Sequence, residues 1–468
     1  MQRYGCRSGA LLFAALIAVG SSVAASRAPA AEATATPTPQ GVTGTVPNTA
    51  SKADRESRRE QLFQQMLDDP DNLDVAFEYA ALSADDGDLE AAVATLERML
   101  IFAPGLPRIQ LELGVLYYRL AAYPTARAYF DAALSAPDVP DEVREKVEVY
   151  LRAMEQAEQP NRFAGGVLTG IRYQTNANAG VDARNVLLNG LPFLLDGDST
   201  KKEDFNAFLA GSFHYSLDLH NQGDRLLFDV LTYNAWYFDR TDLDTNLAEV
   251  VAGPSFNMAR FNLDNTYLDL YGLANGVLID EDVHFATLGG GARITTRPFD
   301  RTAFTGQAEY RYRDFENSRE RPTNDDRTGD EIRGIAGVTH VLSANVVIQA
   351  ALRVTREDAD AAYFDNWEYG GHGGATIFLP DLARDPVNPV AVNLNAGYLT
   401  RDYDDPDPII NARESQEDDE YWVNASVIIP ILDWLSLVPQ AEYRKVDSNY
   451  PTREYENFSV ALALFGRL

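Results

Sequence analysis

The stretch FTGQAEYRYR, residues 304–313, decides the fold of this chain. Phe304, Ala308, Tyr310 and Tyr312 alternate with Gln307, Glu309, Arg311 and Arg313, the period of a strand with one apolar and one polar face. An arginine facing lipid costs about 2–4 kcal/mol at mid-membrane. The alternation turns every charge to the other side. Working outward, the same unit recurs fourteen times from Phe163 to Leu468, each a run of alternating residues followed by a connection. A sheet in lipid must pair all its backbone groups, so it has to close on itself. An even strand count with alternately short and long connections predicts a transmembrane antiparallel β-barrel of the outer-membrane kind over residues 161–468.

Other strands give the same two faces. Val346, Ile348, Leu352 and Val354 oppose Gln349 and Arg353, and Leu394, Ala396 and Tyr398 oppose Asn393 and Asn395. Val438 and Tyr443 are read as outward against Gln440, Glu442 and Arg444. The expected lumen residues are Glu309, Arg311, Arg313, Glu331, Arg333, Arg353, Glu442 and Arg444, whose opposite charges would cross-brace a narrow, wet wall. Tyr173, Trp236, Tyr237, Phe315, Tyr403, Trp422 and Trp434 lie near strand ends and are expected in interfacial girdles.

Short connections are expected at 221–224, 260–265, 298–300, 342–345 and 430–433. Long ones are expected at 174–203, 239–245, 316–327, 356–362 and 401–419. The long ones fall in odd positions and the turns in even ones, apart from a longer even connection at 381–389 and a short odd one around Asp280. This parity predicts that the short turns share the periplasmic side with whatever precedes the barrel.

What precedes it is helical. From Lys52 to Gln159, apolar spacing becomes helical and repeats every 34 residues: Ala92 with Ala126, Leu96 with Phe130, Met99 with Ala133, and Pro70 with Pro104. Leu113, Gly114, Tyr117, Ala126, Phe130, Ala133 and Pro137 resemble the tetratricopeptide repeat, in which small residues let two helices approach. Two full repeats (72–104 and 106–137), a partial one before them and a capping helix from Asp141 to Gln159 are expected. The resemblance implies a concave inner face. By repeat position that face takes Asp74, Phe77, Arg108, Leu111, Tyr118 and Arg119 as client-binding residues.

At the N-terminus, Arg3 and Arg7 precede the apolar run Ala10–Val19 and small residues near Ala25, which predicts an export signal over 1–25. An Ala/Thr/Pro-rich linker follows over 26–51. Cys6, the single cysteine, falls in the signal, leaving no disulfide or thiolate chemistry in the mature chain. The formal charge of −30 argues against nucleic acid as a partner. None of the five histidines has metal-ligand spacing. His214 and Ser216 share a strand face, but such residues diverge, so a lipase dyad is not expected. The acidic loops, Asp239, Asp242 and Asp244 among them, lack the glycine that organises calcium ligands. Neither enzymatic activity nor a cofactor is expected.

Signal, short helical repeat and fourteen-stranded barrel together resemble the surface lipoprotein assembly modifier family. The most local sign is Gly170-Ile-Arg-Tyr-Gln-Thr-Asn-Ala-Asn-Ala-Gly180 at the start of the barrel. The resemblance implies an outer-membrane translocon that delivers a client lipoprotein or secreted protein to the cell surface, its repeats capturing the client in the periplasm. It also implies contact with outer-membrane lipids and lipopolysaccharide, and insertion by the barrel-assembly machinery. An exopolysaccharide export porin and a passive porin with a periplasmic docking module are the alternatives that architecture alone leaves open.

Overall fold

The computed structural model describes residues 52–468 apart from 87, 104–105, 121, 136–138, 140, 159–160, 222 and 383–387. The expected export signal and linker, residues 1–51, lie outside the described residues, as do Pro104 and Pro137 of the helical repeat and part of the connection 381–389. The chain forms two compact units, one of helices and one of strands.

Six helices are described: α1 (Lys52–Asp68), α2 (Leu73–Asp85), α3 (Leu89–Phe102), α4 (Pro107–Arg119), α5 (Tyr123–Leu134) and α6 (Asp141–Glu158). Their starts have local causes. Asn72 accepts from the Val75 N–H at 3.3 Å and Asp88 from that of Ala91 at 3.2 Å, each satisfying a donor the first turn leaves open. Pro107 and Pro124 sit in first turns, where a missing N–H breaks no bond. Residues paired by the 34-residue spacing are buried alike: Ala92 with Ala126, Leu96 with Phe130, Met99 with Ala133. At Gly114 a Cβ would stand 2.4 Å from Phe130 Cε1, so only glycine lets the ring lie against α4. Among the described residues, no helix is long and apolar enough to cross a membrane.

The barrel strands are β1 (Asn161–Gln174), β4 (Asp204–Asp218), β5 (Arg225–Tyr237), β6 (Thr245–Asn257), β7 (Thr266–Ile279), β8 (Asp282–Phe299) and β9 (Thr302–Phe315). They continue as β10 (Gly329–Ser343), β11 (Val346–Ala359), β12 (Asn366–Leu379), β13 (Val390–Tyr403), β14 (Glu417–Leu432), β15 (Leu435–Ser448) and β16 (Tyr455–Arg467). Each pairs antiparallel with its sequence neighbour, and β16 returns to β1, which closes a fourteen-stranded barrel without an edge. The Leu468 N–H extends this junction to the Gly165 carbonyl at 3.0 Å.

The connection from β1 to β4 is more than a polar loop. It carries a small hairpin, β2 (Asn185–Leu188) and β3 (Leu191–Leu194), around Asn189 and Gly190. Both have positive φ, 51° and 78°, as a tight two-residue turn requires. Asn189 fixes the hairpin to the β13–β14 connection: its side chain donates to the Pro408 carbonyl at 2.9 Å and accepts from the Ala412 N–H at 2.7 Å.

The outer face is apolar. Leu288, Ile332, Leu352, Val423 and Leu462 are exposed there, Leu352 by 68%. Toward the ends with the longer connections, outward tyrosines donate to carboxylates: Tyr310 to Asp330 at 2.5 Å, Tyr398 to Asp419 at 2.6 Å and Tyr173 to Glu203 at 2.6 Å. An aromatic ring in the interface with its hydroxyl in a polar layer has this arrangement.

Candidate functional site in the barrel lumen

The register of β9 on β10 sets Arg311 opposite Glu331 and Arg333 opposite Glu309, all on the inner face. Ion pairs then run from strand to strand. Arg313 meets Glu331 at 3.4 Å and Glu357 at 2.8 Å, and Arg333 meets Glu331 at 2.7 Å. Glu368 on β12 accepts from Arg353 on β11 and Arg401 on β13, each at 2.6 Å. Arg401 also lies 3.8 Å from Asp418, and Arg444 binds Glu420 and Glu442. Arg311 pairs with Glu309 at 2.9 Å and reaches Glu249 on β6 at 3.2 Å. The last contact skips two strands, so it braces the curvature of the wall.

The structure thus places all eight expected lumen residues in a series of ion-paired clusters along the inner face. Six members were missed by sequence reasoning: Glu249, Glu357, Glu368, Arg401, Asp418 and Glu420. Glu368 was within reach, because it alternates with outward Trp367 and Tyr369; the Glu249 contact needs the closed barrel.

Part of the remaining lumen wall is apolar. Leu168, Phe208, Ala210, Tyr233, Ala235, Leu247, Val277, Ile279, Val438 and Ala463 form one buried cluster on β1, β4–β7, β15 and β16. Val438 therefore points inward, in correction of the outward position expected for it, because it shares its face with Gln440 and Glu442. Four expected girdle aromatics are corrected likewise. Phe315 and Trp422 are buried on the inner face, and Trp422 fills the space a Cβ at Gly397 would take. Tyr237 accepts from Gln174 inside the barrel at 3.2 Å, and Tyr403 shares the inner face of β13 with Arg401. Trp236 and Trp434 are exposed, as girdle residues are.

No nucleophilic site is assembled at the His214 position. His214 Nδ1 lies 2.6 Å from Asp229 Oδ1, while the Ser216 hydroxyl is buried and, among the described residues, has no hydrogen-bond partner. Asp204 of the β4 start and Asp244 accept backbone N–H bonds from Arg240 and Tyr237 at 2.8 and 2.7 Å, so these carboxylates hold the loop. Among the described residues, no group of three or more His, Cys, Asp or Glu side chains is disposed to hold a metal ion.

In the helical unit, Phe77 on α2 and Arg108 on α4 come together, with the guanidinium 4.9 Å from the ring centroid. Asp74 is exposed at the first turn of α2, and Arg119 donates to the Ala84 carbonyl at 3.2 Å. Tyr118 packs on Tyr123 and Tyr150 and is half-buried. Leu111 is a correction: it is buried in a core with Val115, Phe130 and Val147, where no client reaches it. Two tyrosines that sequence reasoning did not select, Tyr117 and Tyr129, stack and both donate to Glu97, at 2.7 and 3.2 Å. The bond to Glu97 pushes the Tyr117 hydroxyl up to about 12, so it stays a donor.

A closed barrel of even strand number, apolar without and charged within, defines an outer-membrane β-barrel protein. Residues 387–465, which carry most of β13–β16, match the model of the family described as surface lipoprotein assembly modifier. No curated protein matches the sequence. Solved structures of similar fold include a bacterial polysaccharide outer membrane secretin, at 11% identity and TM-score 0.34 over 65% of this chain and 98% of that one. OprB of Pseudomonas putida is similar at 8% identity and TM-score 0.35, over 68% and 96%. The channel DcaP of Acinetobacter baumannii is similar at 11% and 0.36, over 66% and 97%. Likenesses at this level bear on neither substrate nor partner.

Proposed function

We propose that this protein is an outer-membrane translocon that delivers a client lipoprotein, or a secreted protein, to the cell surface. The family match over residues 387–465 carries the reading. In it, the helical unit stands in the periplasm as a short tetratricopeptide-type array and holds the client, with Phe77 and Arg108 as its contact residues. The lumen network keeps the wall rigid and has no catalytic duty. The barrel-assembly machinery inserts the barrel, and lipopolysaccharide surrounds its long loops.

Deleting the gene and comparing surface proteomes tests the reading. Loss of one lipoprotein or secreted protein from the surface, restored by the intact gene, is expected. An unchanged surface would sink it. Phe77→Ala combined with Arg108→Glu should abolish client capture while leaving the barrel in the membrane; full capture by that variant would remove the helical unit from the mechanism.

A further inference from the structure

A cavity opens inside the barrel, lined by β1, β5–β7 and β14–β16 and by parts of three connections. Its charge runs against the molecule. The chain carries a formal −30, yet the charged side chains on this wall are Arg172, Arg321 and Arg444 against Glu442 alone. Arg444 is held by Glu442 and Glu420. Arg172 is different. Its hydrogen-bond and ring contacts are neutral, the Tyr233 hydroxyl at 3.3 Å and the Phe208 ring at 4.9 Å, and among the described residues no carboxylate lies within ion-pair distance of it, Glu442 acting on it only from further away. Every arginine of the expected lumen set has a carboxylate at 3.4 Å or closer.

The other walls are polar and aromatic. Asn424 and Gln440 present side-chain amides, whereas those of Gln174, Asn176 and Asn457 are held in hydrogen bonds to one another, to Asn206 and Tyr237 and to the backbone, and Tyr233, Tyr237 and Tyr455 present rings and hydroxyls. The Gln440 Nε2 is buried and, among the described residues, has no hydrogen-bond partner, an unused donor at the cavity wall. A buried donor without a partner carries a desolvation cost that a bound acceptor removes. Amides meet vicinal hydroxyls with one donor and one acceptor each, and tyrosine rings cover the C–H faces of a sugar. A lone guanidinium takes a carboxylate or phosphate in its fork.

From this combination we infer that the cavity is a binding site for an acidic sugar, with the anionic group on Arg172 and hydroxyls on Gln440 and Asn424. The site is independent of the translocon reading, since it is built in the barrel wall and needs no client. The sugar's acid is a carboxylate or a phosphate, and the probes separate the two.

The full-length protein in detergent is titrated calorimetrically with a glucuronate trisaccharide, a glucose 6-phosphate-ended trisaccharide and the neutral glucose trisaccharide. Acetate, inorganic phosphate and an acidic hexapeptide serve as comparison ligands. Binding of one acidic trisaccharide, about tenfold or more above the neutral one, is expected, with Arg172→Gln removing that margin. Gln440→Leu and Asn424→Ala should each weaken the same ligand severalfold; they carry the test if Arg172→Gln loses the heat-resistant folded band. The inference fails if the neutral sugar binds equally, if simple anions or the peptide bind better than either acidic sugar, or if all three variants bind as the natural chain does.

Discussion

Glu368→Gln should cost the barrel about 3–5 kcal/mol. This carboxylate is the shared acceptor of Arg353 and Arg401, both at 2.6 Å, and is 4% exposed. With charge centres about 4 Å apart and an effective dielectric of about 20, each pair is worth about 4 kcal/mol, or about 8 together before desolvation. The amide is isosteric, so packing is kept, but it can accept from one guanidinium and turns its NH2 toward the other. Arg401 retains Asp418 at 3.8 Å, which recovers part of the loss. The remainder is what breaking one side of a buried network usually costs. Urea unfolding in lipid vesicles, followed by tryptophan fluorescence, measures it. A cycle with Arg353→Met isolates the pair, and the double variant should be more stable than Glu368→Gln alone. A loss below about 1 kcal/mol would put the pair in the range of solvated surface bridges and refute the dry-network reasoning.

Leu352→Arg, on the outer face, should cost about 2–4 kcal/mol or block insertion, whereas Gln349→Arg on the inner face of the same strand should insert normally; folded-band yield in vesicles compares them. Gly114→Val should lower the helical melting transition by overpacking against Phe130, about 1–3 kcal/mol, with the barrel transition unmoved in circular dichroism. Burial raises the Glu112 carboxyl above the ordinary value of 4.5, against the partial relief of Lys146 and Arg108. A carboxyl that binds its proton more tightly in the folded state gains stability as pH falls toward 4.5 through that raised value. Glu112→Gln should therefore stabilise the helical unit at pH 7 and flatten that rise, read as 222 nm melts at pH 7 and 5.

The strands were readable because one medium outside and another inside force a period of two. Where both faces are apolar, that signal vanishes. Phe208, Leu209 and Ala210 run on without alternation because the lumen beside them is itself greasy, and the outward reading of Val438 fails for the same reason. Trp422, Tyr237, Phe315 and Tyr403 show the limit of position along a strand as a guide: an aromatic near an end is a girdle residue only if its parity faces lipid. The hairpin had its sign in Asn189-Gly190 between short apolar runs, but its setting in a long acidic loop hid it. Leu111 fits the repeat position for an open face, yet its burial is decided by α5 and α6, which a single-helix pattern does not contain.

The junction of β16 with β1 has a consequence for how the chain reaches its final form. Thirteen of the fourteen strand pairs join sequence neighbours and can zip locally, but Gly166 meets Arg467 roughly 300 residues away, an ordering cost of about 5 kcal/mol before any constant term. That closure cannot begin until the last strand exists, and long-range pairing of this kind is slow. Until then both arms of an open arc expose bare strand edges, the templates on which misassembly starts. The interval between making β1 and making β16 is when this protein is most in need of a chaperone.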